Sequence, residues 1–383
     1  MIAPLEVKER RRRGSERTRL FLMSPQGEEK LSSVFPDDSG PWRDRLNRPL
    51  VDLRVSVTDR CNFRCDYCMP REKTDAKSFL PRSHILGFEE IARLAKVFVH
   101  GGVKKIRLTG GEPLLRKELA TLVKMLALLP VEIALTTNGV LLPRCAQELR
   151  DAGLQRLTVS LDALDDNIFQ RACDAPAFSP KNVLDGIEAA EKAGFKSINI
   201  NCVVRRGLNE SQIVPLARHF SGTPHTVRFI EFMDVGTRNG WEPSLVVSEA
   251  EIREQLASIQ SLRPLPARVS GEVVRRYEFE NGGEVGVIAS VTQPFCGDCC
   301  RARLSADGQL YSCLFAQGGM KIIDLMRGKM ADEELENVLR SWWSERVDSY
   351  SQERGGILNP EEGKERTRLP VLKSRVEMSY IGG

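Results

Sequence analysis

Residues 51–68 read VDLRVSVTDRCNFRCDYC, a strand signal that runs directly into three cysteines. Val51, Leu53, Val55 and Val57 alternate with polar neighbours, the period of two that a half-buried β-strand requires, and Arg54 lies on the other face. Cys61, Cys65 and Cys68 follow in one short loop, so their thiolates can converge on a compact metal centre. A structural zinc ion normally takes four protein ligands and would need a distant fourth here. A four-iron cluster also normally takes four thiolates, so three leave one iron open to a small molecule.

Outward from this loop the pattern repeats. FEEIARLAKVFVHGG (88–102) has apolar residues at helical spacing and ends in glycines, and the strand KIRLT (105–109) follows. A helix is expected from Pro113 to about Leu129, then a strand at 131–137, a helix at 143–152, a strand at 156–162 and a helix at 181–193. A strand at 200–205, a helix at 209–220 and a strand at 226–232 complete six β/α units. Such alternation builds a parallel sheet with crossover helices. Six units in roughly 190 residues predict an α/β fold, an incomplete (β/α)6 TIM-like barrel, with a doubly wound open sheet as the alternative. After about residue 245, Pro264, Pro266 and the hairpin-like stretch 271–291 predict a smaller C-terminal module. SADGQLYSC (305–313) reads as a second hairpin turning at Asp307-Gly308.

The 383 residues are 41% apolar and 28% charged, ordinary for a globular protein with room for one large domain and a smaller one. A net charge of +4 suits an anionic small molecule and gives no reason to expect nucleic acid. Ten cysteines without a signal peptide do not read as a secreted disulfide framework, and no apolar run approaches the ~20 residues of a membrane span. The expectation is a reduced intracellular protein, cytoplasmic, or in the mitochondrial matrix if the source is eukaryotic. KERRRRGSERTR (Lys8–Arg19) marks a charged, disordered extension over 1–45, and Glu6, Glu9 and Glu16 argue against a transit peptide. The barrel is then expected over 46–245 and the module over 246–383.

LTGGEP puts Gly110 and Gly111 at the end of the second strand, where glycine lets backbone approach a ligand. TTNG (136–139) ends the third strand and SLDA (160–163) the fourth; barrel active sites gather at such strand ends. CGDCCRARLSADGQLYSC (296–313) sets Cys296, Cys299 and Cys313 in a Cx2Cx13C arrangement, again three thiolates. Cys300 is the alternative to Cys299, and a structural zinc is the alternative to a second open cluster.

The Cx3Cx2C loop, with Tyr67 before its last cysteine, resembles the signature of the radical S-adenosylmethionine (SAM) superfamily. With the trailing Cx2Cx13C, the RxR at 301–303 and a Gly-Gly end, residues 46–383 resemble the GTP 3′,8-cyclase family, which performs the first step of molybdenum cofactor biosynthesis. DLRVSVTDRCNFRCDYCMP, KIRLTGGEPLLR, RFIEFMDVG and MSYIGG carry the likeness. It implies two [4Fe-4S] clusters, one held by Cys61, Cys65 and Cys68 and the other, in the C-terminal module, by Cys296, Cys299 and Cys313. It places Tyr67, Gly111, Ser160 and Met233 along a SAM pocket, and Arg54, Arg107, Thr136, Arg228, Arg301 and Arg303 against GTP. Guanidinium forks suit a triphosphate.

The same resemblance implies a lyase reaction in which a 5′-deoxyadenosyl radical takes hydrogen from the ribose 3′ carbon, and ring closure onto guanine carbon 8 gives 3′,8-cyclo-7,8-dihydro-GTP. Neither the motifs nor the resemblance names a general acid or base. The implied partners are GTP, a one-electron donor such as flavodoxin or ferredoxin, a downstream cyclic pyranopterin monophosphate synthase and a second copy in a homodimer. Nucleic acid and membrane are not among them. The family's lysine on the fifth strand is Asn199 here, so that either nearby Lys196 substitutes for it or one phosphate contact is lost, and Gly382 and Gly383 correspond to a tail that enters the active site. The rival readings are a peptide-modifying radical SAM maturase and a non-catalytic zinc protein.

Overall fold

The computed structural model of the chain describes residues 40–69, 79–268, 271–358 and 375–382. Six strands, β1 (Asp52–Ser56), β2 (Lys105–Thr109), β3 (Glu132–Thr137), β4 (Arg156–Ser160), β5 (Ile198–Val204) and β6 (Thr226–Glu231), pair in parallel and in chain order. Between them run α1 (Phe88–His100), α2 (Leu119–Leu126), α3 (Leu142–Asp151), the pair α4 (Asp166–Cys173) and α5 (Pro180–Lys192), and α6 (Ile213–Phe220). The strand period decides which way each side chain faces. Leu53, Val55, Ile106 and Leu108 are fully buried in the core, while Asp52, Arg54, Lys105 and Arg107 take the opposite face, the barrel interior. The arc stays open among the described residues, as an incomplete barrel does.

Later residues extend the same sheet at both ends. After α7 (Glu249–Ala257) come β7 (Leu262–Leu265) and the hairpin β8 (Arg275–Phe279) to β9 (Glu284–Ile288), with β9 parallel to β6. Then β10 (Arg301–Leu304) lies parallel to β1 and forms the second hairpin with β11 (Gln309–Tyr311), turning at Gly308 with φ 78°. The full order is β12-β11-β10-β1-β2-β3-β4-β5-β6-β9-β8-β7, with β12 at Met320–Lys321. The chain ends through α8 (Ile322–Arg327), α9 (Asp332–Ser344), α10 (Tyr350–Leu358) and the short α11 (Met378–Ile381). No described helix is long and apolar enough to cross a membrane.

Three local expectations need correction. The helix expected from Pro113 starts only at Leu119: Glu112 caps a separate 3-10 turn at 113–115, and Glu118 then adopts a left-handed φ of 57° that a continuous helix cannot pass. Helix α4 was not expected; it begins where the Asp165 carboxylate accepts from Ile168 N at 2.9 Å. The helix expected from 209 begins at Ile213, after a 3-10 turn at 210–212. Packing also starts earlier than the expected extension ends. Trp42 is buried beside Phe98, ring centroids 5.9 Å apart, and the missing Cβ of Gly101 makes room for its indole. Residues 1–39 of that extension lie outside the described residues.

Candidate active site

The cysteine loop after β1 is fixed from two sides. Phe63 anchors it against Phe169 and Phe178, with 5.8 Å between ring centroids in each pair. Arg64 N donates to Cys173 O at 2.9 Å and Asp66 N to Ala172 O at 3.2 Å, which docks the loop on the end of α4. On the other side Gly111 N donates to Thr58 O at 2.8 Å and Glu112 N to Arg60 O at 2.7 Å. A Cβ on Gly111 would collide with the Arg60 carbonyl, so glycine is what lets the β2 loop lie against the cysteine loop. The buried Glu112 carboxylate accepts from Leu114 N at 2.9 Å, Thr137 Oγ1 at 2.7 Å and Asn138 N at 2.7 Å, tying β2 to β3; burial still pushes it up to about 7. At the tip of β4, Asp162 accepts from Tyr67 Oη and Val203 N, each at 2.8 Å, and burial pushes it up to about 6.

The three sulfurs act on one another without meeting: among the described residues neither cysteine triad has its ligand atoms within 4.8 Å of one another. Burial first, then the Glu112 carboxylate and the Cys65 sulfur, push Cys61 up to about 12; burial, Cys65 and Cys61 push Cys68 the same way. Three thiolates in such a loop repel one another until a cation is placed among them, so the donor set fits an iron cluster. Cys173, scattered in the sequence, approaches Cys65 alone of the three: Cys65, Asp162 and Cys173 offer ligand atoms within 4.8 Å of one another. Ser160 ends β4, and Met233 lies just past β6 with its carbonyl accepting from Asn239 Nδ2 at 2.8 Å. Tyr67, Gly111, Ser160 and Met233 therefore all stand at the carboxyl end of the strands.

The second cysteine segment meets β1 at its other end, where Val51 N and Asp52 N both point to Cys300 O at 3.1 and 3.2 Å. Cys299 sits between two guanidiniums: Arg346 Nη2 lies 3.3 Å and Arg301 Nη2 3.7 Å from its Sγ. Burial opposes ionisation, yet Arg301 and Arg346 hold the thiol down to about 6, while burial pushes Cys313 up to about 11. Arg346 also donates to Cys299 O at 2.7 Å, and Arg48, ion-paired with Asp44 at 2.6 Å, donates to Cys296 O at 2.8 Å. Sequence reading missed Arg346, Asp44 and Arg48, because nothing local marks residues that approach a cysteine loop from distant segments.

Between these ends lies a row of cations. Register sets Arg303, Arg54 and Arg107 abreast on β10, β1 and β2, with Arg301 beside Asp52. Arg107 Nη1 donates to Thr136 Oγ1 at 3.0 Å and Thr158 Oγ1 at 3.1 Å, and Arg228 lies opposite Asn201. The Nε atoms of Arg54, Arg107 and Arg228 are buried without a partner. Burial, then Arg303 and Arg301, lower Arg54 well below its ordinary value; burial and neighbouring arginines push Arg228 and Arg303 down to about 10. Cations that depress one another inside a barrel mark a site for an anion. Of the two alternatives at the fifth strand, the structure favours the loss of a contact: Lys196 is exposed ahead of β5, while Asn199 is buried within it. Lys105 shares the Arg107 face of β2 and is ion-paired with Glu132 at 3.0 Å; sequence reading missed it although it stands two residues from Arg107. The chain end reaches this row: Gly382 O accepts from Arg303 Nη1, and a Cβ on Gly382 would collide with Thr109. Gly383 lies outside the described residues.

Residues 55–220 match the family model of the radical SAM superfamily, and residues 225–352 match Molybdenum Cofactor Synthesis C. A GTP 3′,8-cyclase of Acidothermus cellulolyticus is 49% identical over 360 residues, 90% of this chain and 99% of the relative. The chain belongs to the GTP 3′,8-cyclase family. Relatives of the same name from Xanthomonas campestris pv. campestris and Staphylococcus haemolyticus are 48% and 44% identical, over 91% and 89% of this chain and 100% and 98% of theirs. Among solved structures, Streptococcus suis SuiB bound to S-adenosylmethionine shares the fold, with a TM-score of 0.52 at 15% identity over 77% of this chain and 69% of its own. Radical SAM membership implies a [4Fe-4S] cluster and S-adenosylmethionine, and it sets aside the doubly wound alternative.

Proposed function

We propose that the chain converts GTP to 3′,8-cyclo-7,8-dihydro-GTP, the first step of molybdenum cofactor biosynthesis. The observation that carries this is the arrangement along β1. One thiol triad leaves its carboxyl end, the other meets its amino end, and buried arginines fill the interval. Five extended residues span about 16 Å, enough for a nucleotide laid between two metal centres.

Cys61, Cys65 and Cys68 would hold one [4Fe-4S] cluster, with Tyr67, Gly111, Ser160 and Met233 lining the pocket beside it. When bound, that cluster with S-adenosylmethionine supplies a 5′-deoxyadenosyl radical. Cys296, Cys299 and Cys313 would hold a second cluster facing the guanine. Arg301 and Arg346, with guanidinium nitrogens 3.7 and 3.3 Å from its sulfur, favour thiolate at Cys299 and support it over Cys300. Arg54, Arg107, Arg228, Arg301 and Arg303 bind and orient the nucleotide, with Thr136 holding the Arg107 fork in place. Residues 46–245 carry the radical-generating barrel and 246–383 the second centre. The working partners are a flavodoxin- or ferredoxin-type donor, a cyclic pyranopterin monophosphate synthase downstream and a second copy of the chain, in the cytoplasm.

Anaerobic incubation of reconstituted protein with GTP, S-adenosylmethionine and reductant tests the reading. 5′-Deoxyadenosine and the cyclised nucleotide should appear together. Deoxyadenosine released without any loss of GTP would refute it.

A further inference from the structure

The C-terminal segment is gripped at its start by side chains the nucleotide and cysteine sites do not use. Arg375 Nη1 donates to Asp234 Oδ2 at 2.8 Å, and Asp234 also accepts from Tyr350 Oη and Arg354 Nη1. Two residues on, the Glu377 carboxylate accepts from Thr237 N at 3.1 Å and Thr237 Oγ1 at 2.9 Å, with Arg238 at 3.7 Å. Gly236, at φ 71°, makes this possible, because a Cβ there would collide with that carboxylate. These partners belong to the loop directly after β6. At its far end the segment is held by the β10–β11 hairpin: Tyr380 Oη contacts Asp307 and lies 3.2 Å from Gln309 Nε2, and Gly382 O accepts from Arg303.

The topology gives these contacts their meaning. β6 is the last strand at one side of the six-strand arc and β10 pairs with β1 at the other, and an open arc has no ladder joining those sides. The segment therefore straps one side to the other across the barrel mouth. A cavity of about 170 Å³ is lined jointly by the strap, through Glu377, Ser379 and Tyr380, and by Asp59 and Cys68. We propose that Glu377 and Asp234 are positioning residues: they pin this strap so that Gly382 holds Arg303 and the strap walls the space beside Cys68. This rests on the reading that Arg303 meets the nucleotide.

The two carboxylates differ in what their removal does. Asp234 pairs with Arg354, which is fully buried and donates its other nitrogen to Ser290 O at 2.6 Å, so Asp234→Ala would strand a cation in the core. Glu377 is partly exposed and can be changed without that damage. The test therefore uses Glu377→Ala and Glu377→Gln in fully reconstituted enzyme. Hydrogen exchange in 375–382 should quicken about tenfold in Glu377→Ala, the loss of one to two net hydrogen bonds. Glu377→Gln, which keeps an acceptor for Thr237, should recover most of the protection. In Glu377→Ala the yield of cyclised nucleotide per deoxyadenosine should also fall several-fold and KM for GTP should rise, with iron content unchanged. Unaltered exchange would overturn the strap; quicker exchange with unaltered product ratio and KM would overturn the positioning role. If the unmodified enzyme makes no cyclised nucleotide, the catalytic reading fails while the exchange data still judge the strap.

Discussion

Replacing Arg228 with methionine separates two effects that usually move together. Burial first, then Arg107 and Arg156, push its guanidinium from an ordinary 12.5 down to about 10. Keeping that group protonated at neutral pH therefore costs the nucleotide-free protein about 3 kcal/mol. Methionine fills similar space without charge, so Arg228→Met should raise the free protein's stability, by about 1–2 kcal/mol once lost packing is deducted. The same change removes one charge-assisted contact to a phosphate, worth about 1.5–3 kcal/mol, or roughly 10- to 150-fold in GTP affinity. Urea unfolding of the nucleotide-free protein and anaerobic GTP titration of the reconstituted protein measure both numbers. A variant destabilised by more than about 1 kcal/mol that still binds GTP with full affinity would mean that Arg228 is an ordinary structural cation, and the anion-site reasoning would fail.

Further outcomes follow from the same contacts. Deleting Gly382 and Gly383 removes the carbonyl that Arg303 grips and should abolish GTP turnover while leaving iron and sulfide content intact; unimpaired product formation would contradict this. Gly111→Ala drives a Cβ into the Arg60 carbonyl and should displace the first cysteine loop, lowering iron incorporation by about half, with absorbance near 400 nm as the check. In cluster-free protein, alkylation of Cys299 should rise with a midpoint near pH 6 and level off, whereas Cys313 should still be gaining reactivity near pH 11. Because the folded Cys299 value lies below its ordinary 9.0, the stability from its arginine contacts is complete above pH 9 and gone below about pH 6.

The fold was legible where period and position agree. Leu53 and Val55 alternating with Arg54 state both which face is core and which is lumen, and the structure keeps that assignment. Gly111 was legible as a close-approach glycine, although what approaches it is the Arg60 backbone of the cysteine loop. Elements set by a single side-chain cap or dihedral were not. Glu118 carries no intrinsic bias toward its left-handed φ, and the Asp165 cap of α4 hid within a run that also reads as a strand tip. Long-range partners leave no local trace at all: Arg346 reaches Cys299 from 47 residues away, and Asp234 meets Arg375 across 141. Lys105 was within reach of the same face rule that singled out Arg107, and it went unread because adjacent lysines look like a solvated turn.

Mössbauer spectroscopy of iron-57 protein reconstituted without air can ask whether each triad leaves one iron for a small molecule. Two four-iron clusters are expected, with S-adenosylmethionine changing the signal of one iron in the first and GTP changing that of one iron in the second. Zinc in either triad, or clusters indifferent to both molecules, would mean that the sites along β1 are closed and that no nucleotide is held between them.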